Sequence, residues 1–255
     1  MSPHAGFAYA QARIQTRYGG RPSETAWRQL DGVSDFALYL ERARATPLGP
    51  WVANLSPSTA VHEVESRLRA AMRALIDEVA GWLPREWCAA VRWAVHLVTL
   101  PIAQHLARGA EVDPWMRRDD SLAPLLAAAS DGPGGRFACV PARRPPVPGQ
   151  ETWLLDAWLE EWRRLWPPMG EGERRSLERV AQGIGMHLRG FARVPPERAW
   201  EARRALQQTL QQQFRGAAFE PAAAFVYLAL VALDLERLRA ALVGRALYPP
   251  ARGAS

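Results

Sequence analysis

Apolar residues recur every three or four positions along most of this chain, which is the spacing that places side chains on one face of an α-helix. The clearest stripe lies between Glu63 and Gly81. It consists of Leu68, Met72, Leu75, Ile76 and Val79. Gly81 is typical of a residue that ends a helix, and no run of alternating β-branched residues predicts a strand. The pattern therefore predicts an all-α fold.

A second helix is predicted from about position 85 to position 108, and it is apolar on most of its faces. A helix of that kind belongs inside a bundle, with other helices around it. The same order returns near the C-terminus, where a Pro-Pro pair at 195–196 precedes a polar-faced helix that ends at Gly216. Pro221 then opens an apolar helix that runs to about Leu247.

The two pairs of helices align with one another when the sequence is shifted by 135 or 136 positions. The matched residues are Glu65 with Glu201, Ala80 with Gly216, Leu97 with Leu233 and Gly109 with Gly244. We interpret them as two copies of one helical unit, at 7–109 and 171–249, within a single all-helical domain at 1–255. The stretch between them, 110–170, is predicted to be a degenerate middle with a loop (DGPGG, 131–135) and a stiff proline-rich linker (RRPPVPG, 143–149).

An aromatic helix is predicted after the linker, and it ends at the prolines of positions 167–168. Trp158, Trp162 and Trp166 are four residues apart, so they share one face of that helix. Such a face could be exposed to a partner or a membrane surface, or it could be a stripe of the core. The regular spacing favours the core.

The charge of the chain is positive, with a formal net charge of +6 at pH 7, and all 32 basic residues are arginine. These arginines are scattered, and many stand one helical turn from a glutamate. Examples are Glu65 with Arg69, Glu160 with Arg164, and Glu236 with Arg239. Such pairs favour solvated helix faces over a dedicated groove for nucleic acid.

The residues able to do chemistry do not form a known catalytic or metal-binding motif. His62-Glu63 lacks the second histidine that a helical zinc protease requires. Gly183-Ile-Gly185 has no strand before it, so it predicts a bend or close helix packing instead of a dinucleotide loop. We therefore predict no catalytic residue, no cofactor and no metal. A small helical enzyme with a hidden acidic or metal site is a weaker alternative.

Cysteine content and hydropathy place the chain in a reducing, aqueous compartment. Two cysteines, Cys88 and Cys139, are too few for a disulfide framework, and Cys88 is predicted to be a small core residue. Positions 1–20 hold no continuous apolar stretch, and the longest apolar runs are shorter than the roughly 20 residues that span a bilayer. We expect a soluble, cytoplasmic protein.

Short segments at both ends of the chain carry a family resemblance. They are FAYAQARIQTR (7–17), RATPLG (44–49), EVESRL (63–68), FVYLALVALDLERLR (225–239) and GRALYP (244–249). The residues that carry it are Phe7, Tyr9, Arg13, Arg17, Thr46, Gly49, Glu65, Tyr227, Glu236, Arg239 and Tyr248. In this order they resemble the family of central-stalk socket subunits found in the V/A-type ATPases and in the eukaryotic V-type enzymes.

The resemblance implies a funnel-like fold of pseudo-repeated helical units, in which those residues mark fold or interface positions. It implies a non-catalytic protein on the central stalk, which links the membrane rotor ring to the shaft and transmits torque for proton or sodium transport. The partners would be the rotor-ring proteolipid subunits and the central-shaft subunits, with no small-molecule substrate. The chain would be cytoplasmic and attached to the inner membrane only through the complex. The alternative is a free-standing helical adaptor that binds another protein or nucleic acid through an Arg/Trp-rich surface.

Overall fold

A computed structural model describes residues 3–130, 153–191 and 193–248, and every regular element in these ranges is a helix. The all-α prediction is therefore confirmed. The helices are α1 (Pro3–Gly19), α2 (Glu24–Asp31), α3 (Phe36–Arg44), α4 (Gly49–Val52), α5 (Val61–Ala80), α6 (Cys88–Arg92), α7 (Val95–Ala107), α8 (Pro114–Arg117), α9 (Ala123–Ser130), α10 (Trp153–Arg164), α11 (Glu171–Phe191), α12 (Ala199–Gly216) and α13 (Ala222–Leu247). Short 3₁₀ turns precede α6, α9 and α12.

Helix α13 is the centre of the packing, because α1, α3, α5, α11 and α12 all contact it. Every residue from Ala222 to Leu228 is buried, so this part of the helix has no solvent face. Three consecutive alanines open the helix, and their small side chains leave room for the surrounding helices to approach closely. The sequence prediction of an apolar helix from Pro221 to about Leu247 is confirmed.

One contiguous core of buried apolar side chains reaches from α1 to α13. Trp87 joins the two ends of the chain within it, since its ring lies 6.2 Å from that of Phe7 and 6.4 Å from that of Phe225. The funnel shape and the repeated units at 7–109 and 171–249 stay predictions. Within the described ranges, no helix combines the length and the apolar character needed to cross a membrane.

Helix α5 carries the apolar stripe that the sequence predicts. All five stripe residues are buried, and the backbone N–H of Gly81 closes the helix by donating to Asp77 O at 3.1 Å. Cys88 follows in α6 and is half-buried, with its thiol donating to Ala80 O at 3.3 Å. The thiol therefore packs against the end of α5.

The predicted single helix from 85 to 108 is wrong, because the chain breaks at Trp93 and Ala94 between α6 and α7. The backbone tightens there to bonds between residues three apart, such as Leu97 N–H to Ala94 O at 3.1 Å. Two indole side chains, one from the break and one from α10, stabilise it by reciprocal hydrogen bonds. Trp93 Nε1 donates to Trp158 O at 3.1 Å, and Trp158 Nε1 donates to Trp93 O at 3.2 Å.

The aromatic stripe of α10 belongs to the core, as the spacing predicts. Trp158 and Trp162 are each 1% exposed, and their rings stack with centroids 5.3 Å apart. Trp166 meets Trp162 edge to face, with ring centroids 5.2 Å apart. These indoles are not available as an exposed platform for a partner. The DGPGG loop, the RRPPVPG linker and Cys139 lie outside the described residues.

Candidate functional site

The outer side of α1 carries arginine and aromatic side chains that pack on one another, a surface we call the α1 ladder. It consists of Tyr9, Arg13, Arg17, Glu78 and Trp82. The guanidinium carbon of Arg13 lies 5.4 Å from the Tyr9 ring centroid and 5.8 Å from the Trp82 ring centroid. Arg17 lies 6.0 Å from the Trp82 ring and pairs with Glu78 at 2.6 Å. Cation–π and ionic contacts thus hold the long side chains against the surface.

The spacing in the sequence explains this arrangement. Tyr9, Arg13 and Arg17 are four residues apart, so they stand one above another on the helix. Trp82 comes from the turn after α5 and is buried, so its ring is the floor on which both arginines lie. Tyr9 is 55% exposed and accepts a hydrogen bond of 3.0 Å from Arg13 Nε. The ladder therefore offers a cation and an aromatic ring to solvent.

The C-terminal signature residue Tyr227 is close to the ladder but faces the core. It is buried on α13. Burial raises the pKa of Tyr227, while the positive charge of Arg17 opposes the rise. The opening and closing segments that carry the family resemblance therefore meet at this place.

A buried ion pair ties the same two parts of the chain together. Arg21 Nε donates to Asp234 Oδ2 at 2.7 Å, and the two side chains are only 10% and 9% exposed. Arg21 also donates to Leu230 O at 3.3 Å. Burial raises the pKa of Asp234, and the charge of Arg21 works against it. The pair fixes the segment after α1 onto the middle of α13.

A second charged cluster contains Glu65, Glu236 and Arg239 and joins α5 to α13. Arg239 donates to Glu65 Oε1 at 2.8 Å and to Glu236 Oε2 at 3.3 Å. Arg203 of α12 lies 3.6 Å from Glu236. Burial lowers the pKa of Arg239, but Glu236 and Glu65 outweigh it, so the pKa is raised and the side chain stays charged. This cluster braces three helices.

Thr46 and Gly49 form the turn between α3 and α4. Thr46 Oγ1 donates to Ala43 O at 2.7 Å and accepts from the backbone N–H of Leu48 at 3.1 Å. A Cβ atom on Gly49 would lie 2.6 Å from Arg44 O, a separation that carbon and oxygen do not tolerate. The TPLG segment is therefore a turn that requires glycine at its fourth position.

The remaining signature residues lie apart from these clusters. Phe7 is buried in the core against Trp87. Tyr248 follows the end of α13 and is 81% exposed. The structure thus divides the eleven residues among the ladder, the α5–α13 cluster, the TPLG turn, buried Tyr227 and the two isolated positions.

His96 and His187 each lie beside an aromatic ring. His96 packs on Trp93 with ring centroids 4.4 Å apart, and burial together with Arg73 lowers its pKa. Burial and Arg203 likewise lower the pKa of His187, which lies beside Phe191. Within residues 3–130, 153–191 and 193–248, no three His, Cys, Asp or Glu side chains form a group that could hold a metal ion.

The glycine pair at 183–185 lies inside α11, and close packing explains the second of the two, Gly185. A Cβ atom on Gly185 would lie 3.1 Å from Leu159 Cδ1 of α10 and 3.0 Å from Arg189 Nη1. The absence of a side chain lets α10 and α11 approach each other. Of the predicted bend or close packing, close packing is found at Gly185, whereas no atom lies within 4 Å of a Cβ built on Gly183.

Trp82 and Asp234 are among the residues of the site that escaped the sequence reasoning. Trp82 supplies the floor of the ladder, and Asp234 anchors Arg21, yet neither belongs to the resembling set. Asp234 could have been found, because it is a lone carboxylate in the apolar run from Phe225 to Leu235. An acid in such a run requires a buried cation as partner. Nothing in the sequence around Trp82 shows whether its ring supports the ladder arginines or belongs to the core alone.

Comparison with known proteins returned no match, either to a protein-family model, to a curated protein or to a solved structure.

Proposed function

We propose that this chain is a non-catalytic socket subunit of a V/A-type rotary ATPase, linking the membrane rotor ring to the central shaft and transmitting torque. The observation that supports this most is the packing of the resembling segments on one another. Helix α1, which carries the opening segment, packs against α13, which carries the closing segment. Glu65 and Arg239 join across 174 positions. The segments that carry the resemblance are far apart in sequence, yet they pack against one another in the fold.

A part that transmits torque must resist deformation, and the contacts of α13 suit that requirement. Its buried first half is surrounded by other helices, and close-packed interiors transmit strain instead of absorbing it. Its second half is held by arginine side chains that bond to carboxylates and to a backbone carbonyl of the N-terminal part of the chain. Arg237 donates to Glu24 at 3.0 Å and to Asp31 at 2.7 Å, and Arg245 donates to Val33 O at 2.6 Å. The central helix is thus fixed along most of its length.

Native mass spectrometry of the tagged chain, recovered from its own membranes in mild detergent, tests the proposal. We expect the chain to co-purify with an oligomeric ring of small membrane proteins and a coiled-coil shaft protein. Recovery of the chain alone, or with unrelated soluble proteins, would overturn the socket role in favour of an adaptor.

The salt dependence of the recovered complex separates docking between proteins from binding to a polyanion. A surface that neutralises six to ten phosphates loses roughly 10³- to 10⁵-fold in affinity between 50 and 200 mM salt. Docking through apolar contacts and one or two ion pairs loses far less. We therefore expect recovery to change by less than about threefold over this range, with double-stranded DNA as the comparison ligand.

A further inference from the structure

One arginine of the α1 ladder has no counter-ion. Arg17 pairs with Glu78, but within residues 3–130, 153–191 and 193–248 no carboxylate forms an ion pair with Arg13. Helix α1 supplies no acid of its own, since its sequence from Pro3 to Gly19 contains neither Asp nor Glu. Two arginines and one glutamate therefore leave one positive charge of the ladder uncompensated.

Arg13 is held in a fixed place although it is exposed. Its Nε donates to the Tyr9 hydroxyl at 3.0 Å, and its guanidinium carbon lies 5.4 Å from the Tyr9 ring and 5.8 Å from the buried Trp82 ring. Among the described residues, Nη1 and Nη2 of Arg13 have no acceptor. The Tyr9 oxygen accepts from Arg13, so its own hydrogen is left to be donated. The ladder thus presents three ordered donors to solvent.

This set of donors matches a single carboxylate. The fork of an arginine binds both oxygens of a carboxylate, and a fork that is already held in place loses less conformational freedom on binding. A nucleic acid or an anionic membrane instead needs several unpaired cations close together. Glu78 is 39% exposed beside Arg17 and would repel a second phosphate. The charges of the ladder therefore favour a protein carboxylate over a polyanion.

The rest of the exposed face of α1 is shaped for a helix. Ala8, Ala12 and Thr16 are exposed and lie four residues apart, next to Tyr9 and Arg13. The Thr16 hydroxyl is already satisfied, because it donates to Ala12 O at 2.9 Å. Small side chains in such a row form a groove into which the side-chain ridge of a second helix can pack. The cation stands at the edge of this groove.

We propose that the exposed face of α1 docks a helix of a partner protein, with a glutamate or aspartate of that helix binding the Arg13 guanidinium and the Tyr9 hydroxyl. The contact goes beyond the socket role and does not depend on it, since a free-standing adaptor would use the same face. Failure of either proposal therefore leaves the other standing.

Photo-cross-linking of the full chain in its own cells tests the contact directly. The photoreactive amino acid p-benzoylphenylalanine replaces Gln15, which is exposed at the edge of this face, so the groove and Arg13 stay free. Mass spectrometry then identifies the cross-linked segment. We expect a segment of another protein that has the apolar spacing of a helix and contains an aspartate or a glutamate.

Four variants of the cross-linking chain make the test specific. Arg13→Gln is expected to lower the cross-link yield at least tenfold, because charge-assisted bonds are lost. Arg13→Lys keeps the charge without the fork and is expected to lower it at least threefold. Tyr9→Phe keeps the ring and is expected to lower it about twofold to tenfold. Arg28→Gln is the matched control and is expected to change nothing, because Arg28 is exposed on α2 and likewise lacks a carboxylate partner among the described residues, but lies on no ring.

Exchange of the two charges completes the experiment. Arg13→Glu is expected to abolish the cross-link, and replacement of the partner's acidic residue by arginine is expected to restore it. A cross-link to lipid, to nucleic acid or to a second copy of this chain would overturn the proposal. So would the absence of a cross-link, or equal yields with Arg13→Gln and Arg28→Gln. The Tm of Arg13→Gln is expected to stay within about 2 °C of wild type, since no ion pair is lost. A fall of several degrees would mean that Arg13 serves the fold, and it would overturn the proposal as well.

Discussion

At the scale of single residues, Gly49 decides whether α3 can turn into α4. The Cβ of an alanine at this position would lie 2.6 Å from Arg44 O, and a backbone atom cannot move aside as a flexible side chain can. We expect Gly49→Ala to lower the free energy of unfolding by about 1–3 kcal/mol, the usual cost of overpacking. Urea denaturation of the purified chain measures it.

Gly183→Ala is the control for this prediction. Gly183 lies within α11 and has no atom within 4 Å of its would-be Cβ. Alanine is the better helix former, so we expect this variant to gain about 0.5–1 kcal/mol. If both variants shifted stability in the same direction, the close approach at Gly49 would not be what constrains that position.

Asp119 makes the stability of the fold depend on pH. Burial raises the pKa of this carboxyl, but hydrogen bonds from Ser121, Arg69 and Ser66 outweigh it and lower the pKa to about 2. A folded-state pKa below the unfolded value stabilises the protein above the unfolded value, and this stability is lost as the pH falls through the folded value. Asp119 therefore contributes about 2 kcal/mol at neutral pH. About half of it is lost by pH 3.

Comparison of wild type with Asp119→Asn measures this contribution. An asparagine cannot ionise, so the difference in free energy of unfolding is expected to be largest at pH 6 and to shrink as the pH approaches 3. Urea melts at pH 6, 4 and 3 are sufficient. A difference that stays constant with pH would mean that the charge of Asp119 is not what stabilises the contact.

Ion-pair partners show how far sequence reasoning reaches at the residue scale. Of the three pairs predicted from helical spacing, Glu236 with Arg239 is confirmed. Arg69 instead contacts Asp119 at 2.7 Å, and Arg164 pairs with the adjacent Glu161. Spacing identifies which charges could meet within one helix. It carries no information about a carboxylate that another element supplies, as Asp119 is supplied to Arg69. It also does not decide between two neighbouring glutamates of one helix, as at Arg164.

At the scale of elements, the paired indoles of Trp93 and Trp158 link α10 to the break between α6 and α7. Each indole N–H donates to the other residue's backbone carbonyl, so the two bonds form or break together. A double-mutant cycle with Trp93→Phe and Trp158→Phe is expected to give a coupling energy of about 0.5–1.5 kcal/mol. Denaturant melts of the four proteins measure it. Additive single losses would mean that the bonds are independent.

Periodicity predicted α5 and α13 well and missed this break for a physical reason. The stripe of α5 and the apolar run of α13 are local patterns, and burial of those patterns determines the helices. The break at Trp93 depends on a residue 65 positions away. Local spacing therefore predicted a continuous helix, because each flanking segment is a good helix by itself.

At the scale of the whole molecule, contacts between distant segments create the candidate surfaces. The α1 ladder needs the turn after α5 for its floor, and the backbone of Phe219, which has a φ of 62°, is held by Gln11 from α1. The resemblance proposed Tyr9, Arg13 and Arg17 as fold or interface positions, and that role stays a prediction. It did not identify Phe219, since a positive φ at a phenylalanine is imposed by tertiary contacts.

The buried pair of Arg21 and Asp234 is the contact whose loss would affect the whole molecule most, because it joins the start of the chain to its central helix. Asp234→Asn leaves a buried guanidinium without its counter-ion, and we expect a loss of about 3–5 kcal/mol in the free energy of unfolding. Replacing both residues, as Arg21→Met with Asp234→Leu, removes the unpaired charge and is expected to restore most of that loss.

The exposed pair of Arg92 and Asp77 provides the comparison. Its side chains are 60% and 66% exposed, so Asp77→Asn is expected to cost less than about 1 kcal/mol. Urea melts at constant pH compare all of these variants. If the double replacement were as unstable as Asp234→Asn alone, the geometry of the pair and not its charge balance would hold the segment after α1 against α13. In that case a rigid link between the ends of the chain would depend on packing around Tyr227 and Trp87.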